Sequence, residues 1–118
     1  MAIGKFQGGC HCGAVRFEVE LDLDQAISCN CSICTKGGFI WGFVALGNFV
    51  QTAGEASTTV YRFHKHLVNH RFCSRCGIEA FATGTAPDGH AMAAINLRCI
   101  DNIDLTKLSP RPVDGRSL

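Results

Sequence analysis

The chain has 118 residues, the length of one ordinary domain, and 47% of them are hydrophobic, so a real core can form. Charged residues make up 18% and the net charge is +1, with lysine and arginine scattered; this argues against a nucleic-acid footprint. The start, Met1-Ala2-Ile3-Gly4-Lys5-Phe6, is not a secretory signal, and the longest apolar stretch, residues 39–46, is too short to span a bilayer. A cytoplasmic location with no membrane partner is expected, in a compartment where thiols stay reduced.

Alternation of apolar and polar residues dominates, which is the signal of half-buried strands. Val15, Phe17 and Val19 alternate with Arg16, Glu18 and Glu20. Residues 39–46 form a nearly continuous apolar run, the pattern of a strand buried on both faces. Thr59, Tyr61 and Phe63 then alternate with Val60, Arg62 and His64, and further strands are expected at 67–72, 78–83 and 91–99. No segment has the period of an amphipathic helix of useful length. Glycines punctuate the runs, and Pro87-Asp88-Gly89 reads as a turn between strands. The fold class is therefore all-β, a small domain of mostly antiparallel strands over residues 1–108. From Ser109 a tail with Pro110, Pro112 and Gly115 is expected to hang loosely, over residues 109–118.

Seven of the eight cysteines fall into three tight clusters: Cys10 and Cys12; Cys29, Cys31 and Cys34; Cys73 and Cys76. One metal ion must gather sulfurs lying a few ångströms apart, and such clusters supply them. A disulfide scaffold is the competing reading. It is opposed by the lack of an export signal, by the apolar content, and by the strain of bridging such close neighbours. Gly9-Cys10-His11-Cys12-Gly13 and Cys73-Ser74-Arg75-Cys76-Gly77 look like the two knuckles of a zinc ribbon. Their glycines let the backbone turn tightly and aim N–H groups at the sulfurs. A closed four-cysteine zinc joining them would contribute folding energy directly. Cys29, Cys31 and Cys34 can grip one face of a second zinc and leave a position open. Three thiolates weaken its acidity toward water, so a thiol substrate suits the opening better than hydroxide chemistry. The alternative is that Cys99 closes this site. Parity with Ile95 and Leu97 on one strand face instead reads Cys99 as a small core residue.

Three segments together resemble the glutathione-dependent formaldehyde-activating enzyme family, which centromere protein V shares. They are Gly9-Cys10-His11-Cys12-Gly13-Ala14-Val15-Arg16-Phe17, Cys29-Asn30-Cys31-Ser32-Ile33-Cys34-Thr35-Lys36 and Phe72-Cys73-Ser74-Arg75-Cys76-Gly77. Ile95-Asn96-Leu97-Arg98-Cys99-Ile100-Asp101 is similar too. The resemblance runs in order from near residue 8 to about residue 105 and implies a β-tent fold around zinc. It implies that Cys10, Cys12, Cys73 and Cys76 hold a structural zinc and that Cys29, Cys31 and Cys34 hold a catalytic one. It also implies a carbon–sulfur lyase activity, joining glutathione and formaldehyde to S-hydroxymethylglutathione. A zinc-stabilised binding module without catalysis, or a thiolate redox sensor, is the alternative.

Other residues admit two readings. Lys36, Arg71 and Arg75 can balance an anionic site or meet a substrate carboxylate, against plain surface charge. Phe39, Trp41 and Phe43 share a face and can shield a pocket, against core packing. His64, His66 and His70 share parity as a three-histidine set, but the thiolates already account for metal. His11 is expected at the surface.

Overall fold

In the computed structural model, residues 3–63, 68–86 and 88–117 are described. Among these residues ten strands form two sheets. The smaller has the order β1-β2-β5, built from Ile3–Gly9, Arg16–Asp22 and Phe49–Ala53. The larger has seven strands in the order β10-β3-β4-β9-β8-β7-β6. In chain order these are β3 (Ile27–Cys29), β4 (Trp41–Ala45), β6 (Thr58–Tyr61), β7 (Val68–Cys73), β8 (Glu79–Thr85), β9 (Ala91–Asn96) and β10 (Arg111–Val113). All pairings are antiparallel except β10 with β3. The all-β expectation holds.

The alternation in β2 has the expected cause and effect. Phe17, Val19 and Leu21 are buried while Glu18 and Glu20 face out. They pack against Val44 of β4, Phe81 of β8 and Ala93 and Ile95 of β9, forming the main core between the two sheets. Three rings tie the sheets together: Phe17 to Phe49 at 5.9 Å, Phe49 to Phe81 at 4.6 Å and Phe17 to Phe81 at 6.5 Å between centroids. Each such ring removes enough apolar area from water to stabilise the fold by about 2 kcal/mol.

The opposite face of the large sheet carries a second apolar cluster of Ile27, Trp41, Ala82 and Cys34. Side chains alternate across a strand, so Ala82 turns away from the core that its neighbour Phe81 fills. On this face lies the short helix α1 (Ser32–Gly37), ended by Gly38 in the left-handed conformation at φ 68°. Its 6 residues are too few to show a helical period, which is why the sequence pattern does not announce it.

Three expectations need correction. Residues 39–46 are not a strand buried on both faces: Trp41 is buried, but Phe43, on the same side, is 50% exposed where the outer face opens. The strand expected over 91–99 ends at Asn96, and Leu97–Cys99 is a 3-10 turn that Asn96 caps by accepting from the Arg98 N–H. The loose tail is instead docked, because Arg111–Val113 extends the large sheet as a parallel edge strand beside Ile27–Cys29. Prolines argue against a strand in the middle of a sheet. An edge position tolerates them, since one side of the strand has no ladder partner. Leu67, His64, His66 and Pro87 lie outside the described residues.

Candidate metal centres

The two knuckles meet although 61 residues separate Cys12 from Cys73. Antiparallel β1 and β2 present the Cys10–Cys12 turn, and β7 delivers Cys73 into a turn that Ile78 closes by accepting from the Cys73 N–H. The Sγ atoms of Cys10, Cys12, Cys73 and Cys76 all lie within 4.8 Å of one another. Cys10 to Cys12 is 3.7 Å and Cys12 to Cys73 is 3.6 Å. Sulfurs arranged tetrahedrally at about 2.3 Å from a zinc ion sit about 3.8 Å apart, so the donor set and spacing fit that ion.

Backbone N–H groups point at the sulfurs, as the glycine-flanked turns lead one to expect. Val15 donates to Cys10 Sγ at 3.3 Å, and Arg75 and Cys76 donate to Cys73 Sγ at 3.3 and 3.4 Å. The N–H groups of Ile78 and then Cys12 pull the Cys76 thiol down to about 6, and those of Cys76 and Arg75 lower Cys73 against the effect of burial. Thiolates are the ligand form, so the N–H groups at Cys73 and Cys76 favour a bound cation. At Cys12, by contrast, the Ala14 N–H is outweighed by burial and the neighbouring sulfurs, and the thiol rises to about 11.

Cys29, Cys31 and Cys34 form the second group, with Sγ atoms within 4.8 Å of one another. Cys29 ends β3, Cys31 caps the start of α1, and Cys34 lies inside it. One helical turn thus brings Cys31 and Cys34 to the same side. The site is graded in exposure: Cys34 is buried, while Cys29 and Cys31 are half-buried. Burial first raises the Cys34 thiol above its ordinary range, and the Trp41 indole N–H, 3.2 Å from its Sγ, works the other way. For Cys31, burial pushes up but the Cys34 N–H and the adjoining sulfurs outweigh it, so the thiol is lowered.

The C-terminal segment closes one side of this group. Asn30 donates its backbone N–H to Val113 O at 3.2 Å and its side-chain amide to Asp114 at 2.9 Å, and its Oδ1 accepts from the Arg116 N–H at 2.9 Å. Gly115 is pressed so close that a Cβ there would lie 2.3 Å from Cys29 Sγ. A proline- and glycine-containing tail carries no periodic signal of this docking.

Cys99 belongs to neither group among the described residues. It is half-buried, packs against the main core, and approaches Glu79 O at 4.0 Å. Burial first, then the charges of Cys10, Cys76 and Glu79, push its thiol up to about 12. The parity argument does not explain its place, since the chain has already left the strand. His11 is exposed. His70 is buried and bonded through Nδ1 to Glu79 Oε2 at 2.8 Å, a pairing across two strands that no local sequence pattern signals. Trp41 is core as well as a donor to Cys34, and its ring lies 4.7 Å from Phe39. Lys36 lines a small hollow with Ser32, Ile33, Tyr61 and Phe63, while Arg71 is engaged with Thr83.

The sequence profile of the family described as "Glutathione-dependent formaldehyde-activating enzyme" matches residues 5–113. The chain belongs to this family. A Halomonas elongata protein provisionally named a glutathione-dependent formaldehyde-activating enzyme is 33% identical over 79 residues, covering 59% of this chain and 50% of that protein. The chain thus spans about half the length of that curated relative. The crystal structure of a Rhodobacter sphaeroides protein superimposes with a TM-score of 0.80 at 30% identity, covering 90% of this chain and 97% of the other. The family match takes in all seven clustered cysteines and β10. Both cysteine groups can hold a metal ion. No described helix is long and apolar enough to cross a membrane.

Proposed function

We propose that the protein is a zinc-dependent enzyme of the carbon–sulfur lyase type, joining glutathione and formaldehyde to S-hydroxymethylglutathione at Cys29, Cys31 and Cys34. The observation that carries this reading is the three-sulfur group, within 4.8 Å and without a fourth cysteine among the described residues. Cys10, Cys12, Cys73 and Cys76 are assigned to a structural zinc, the closed site that secures the sheet ends. The site stands in a reducing, cytoplasmic setting in this reading.

The reaction forms one S–C bond, turns the carbonyl double bond into a C–O single bond, and moves the thiol proton to the new hydroxyl. A zinc ion held by the three cysteines would lower the pKa of an incoming thiol and so supply thiolate at neutral pH. The chain's own residues prepare the place. Trp41 holds Cys34 in position through its N–H and covers it with its ring. Gly115 and Asn30 wall off the Cys29 side, so access is restricted to other directions. The apolar floor of Ile27, Trp41 and Ala82 lowers the local dielectric, which strengthens charge interactions at the sulfurs.

The test is exchange-rate NMR on glutathione and formaldehyde with the zinc-loaded protein. The expected result is acceleration over the spontaneous reaction that Cys31→Ser removes while the fold survives. No acceleration would sink the activity. A thiolate redox sensor is a second reading, favoured by the lowered, half-exposed Cys31 thiol. Reversible zinc release at low peroxide would support it.

A further inference from the structure

A cleft of about 680 Å³ opens between α1 and the four-cysteine knuckles. Ile33, Gly37 and Phe39 line one side of it, and Gly9, His11 and Gly77 the other. Ile33 and Phe39 also pack against the cluster containing Cys34 and Trp41, so the cleft adjoins the three-cysteine group. Its volume suits a peptide-sized small molecule.

The polar groups in the cleft are few and arranged. Glu79 is only 8% exposed yet lines it. Its Oε2 is taken by His70 Nδ1, while no described residue donates to Oε1. Among the described residues no fully buried side-chain oxygen lacks a partner, so Oε1 is not wholly cut off, and the cleft that Glu79 lines offers a ligand a way to it. A carboxylate oxygen so nearly cut off from water is poorly solvated, and a cationic donor entering the cleft would satisfy it. Arg98 also lines the cleft and is exposed, with its Nε donating to Gly38 O at 3.0 Å. Asn96 links the backbones of the two residues, donating to Glu79 O at 2.9 Å and accepting from the Arg98 N–H. A buried carboxylate and an exposed guanidinium lining one cleft are complementary to a zwitterion.

We propose that this cleft is the recognition site for the amino-acid end of the thiol substrate, with Glu79 receiving its ammonium group and Arg98 its carboxylate. The inference rests on the thiol-handling reading above and names residues for it. His70 acts as a positioning residue: its bond to Oε2 fixes the carboxylate and leaves Oε1 for the ligand. Tyr61 and Phe63, stacked on one another at 5.7 Å with Phe63 on His70 at 5.5 Å, keep that imidazole in place.

The test uses S-methylglutathione, whose blocked sulfur cannot bind as a thiolate, and its N-acetyl derivative, titrated into the zinc-loaded full chain. The wild type should bind the free-amine ligand at least about tenfold more tightly than the acetylated one. Glu79→Gln, which keeps an acceptor for His70, should bring the two affinities together. Arg98→Ala, at an exposed position, should weaken both. Equal binding of the two ligands by the wild type, or binding of neither, overturns the inference whether or not Glu79→Gln folds. Amine-dependent binding without acceleration of the formaldehyde reaction would retain this recognition site and refute the proposed activity. Acceleration without amine dependence would do the reverse.

Discussion

Gly115→Ala probes the contact between the C-terminal segment and the three-cysteine group. Gly115 has no need of the left-handed backbone, so on conformational grounds alone alanine would stabilise by about 0.4–1 kcal/mol. The structure predicts the opposite sign. The new Cβ would lie 2.3 Å from Cys29 Sγ, whereas non-bonded heavy atoms need at least about 3.5 Å, so one side must yield by more than about 1 Å. Overpacking of this kind costs about 1–3 kcal/mol. Peeling the segment away instead gives up the bonds of Asn30 to Val113, Asp114 and Arg116, each worth about 0.5–1.5 kcal/mol. Either route leads to about 2 kcal/mol. In the metal-free protein Cys29 can swing to another rotamer and escape most of the clash; with metal bound, the sulfur is pinned. Thermal unfolding should therefore show a loss on the order of 8 °C for the zinc-loaded variant and much less for the metal-free one. Competition with a chelator should show affinity at the three-cysteine group falling by about 30-fold. Equal shifts in both forms, or none in either, would refute the reasoning.

Trp41→Phe keeps most of the ring packing but removes the N–H donor to Cys34 Sγ. It should cost about 1 kcal/mol, read as up to about tenfold weaker metal retention at that group with the four-cysteine site unaffected. Cys73→Ser should unfold the domain or lower its melting temperature sharply, while Cys34→Ser should leave a folded protein with one fewer zinc equivalent, measured by metal analysis and circular dichroism. In the metal-free protein, Cys76, drawn down to about 6, should be alkylated at pH 7 well before Cys99, pushed up to about 12, as peptide mass mapping would record. The sign for stability follows from the same depression. The Cys76 thiolate contributes stability that is complete above its ordinary value of 9.0 and is lost as pH falls through about 6, so acid should weaken the metal-free fold across that window, as melts at stepped pH would show.

Much of the fold was legible because its signals are local. The alternation of Val15, Phe17 and Val19 forecasts which side of β2 is buried, since successive side chains must point to opposite faces. The three cysteine turns were legible for a similar reason: sulfurs that can share one metal ion must be closely spaced within each turn, and short spacing can be read directly. Less legible were elements too short for a period, such as α1, and strands such as β10 that owe their existence to a neighbour. Arg111-Pro112-Val113 has no strand signal of its own, and it extends the sheet only because Ile27–Cys29 offers an unpaired edge.

The sequence by itself determined the all-β class, the cysteine turns and the family, since each depends on residue type at fixed short spacing. Only the tertiary structure decided what surrounds the sulfurs. That Trp41 donates to Cys34, that Gly115 presses on Cys29, that His70 holds Glu79, and that Cys99 sits apart from both groups depend on segments brought together across the chain. Long-range contacts of this kind arise when sheets pair and pack to bury apolar area, and nothing in a residue's immediate neighbours encodes the partner it meets there.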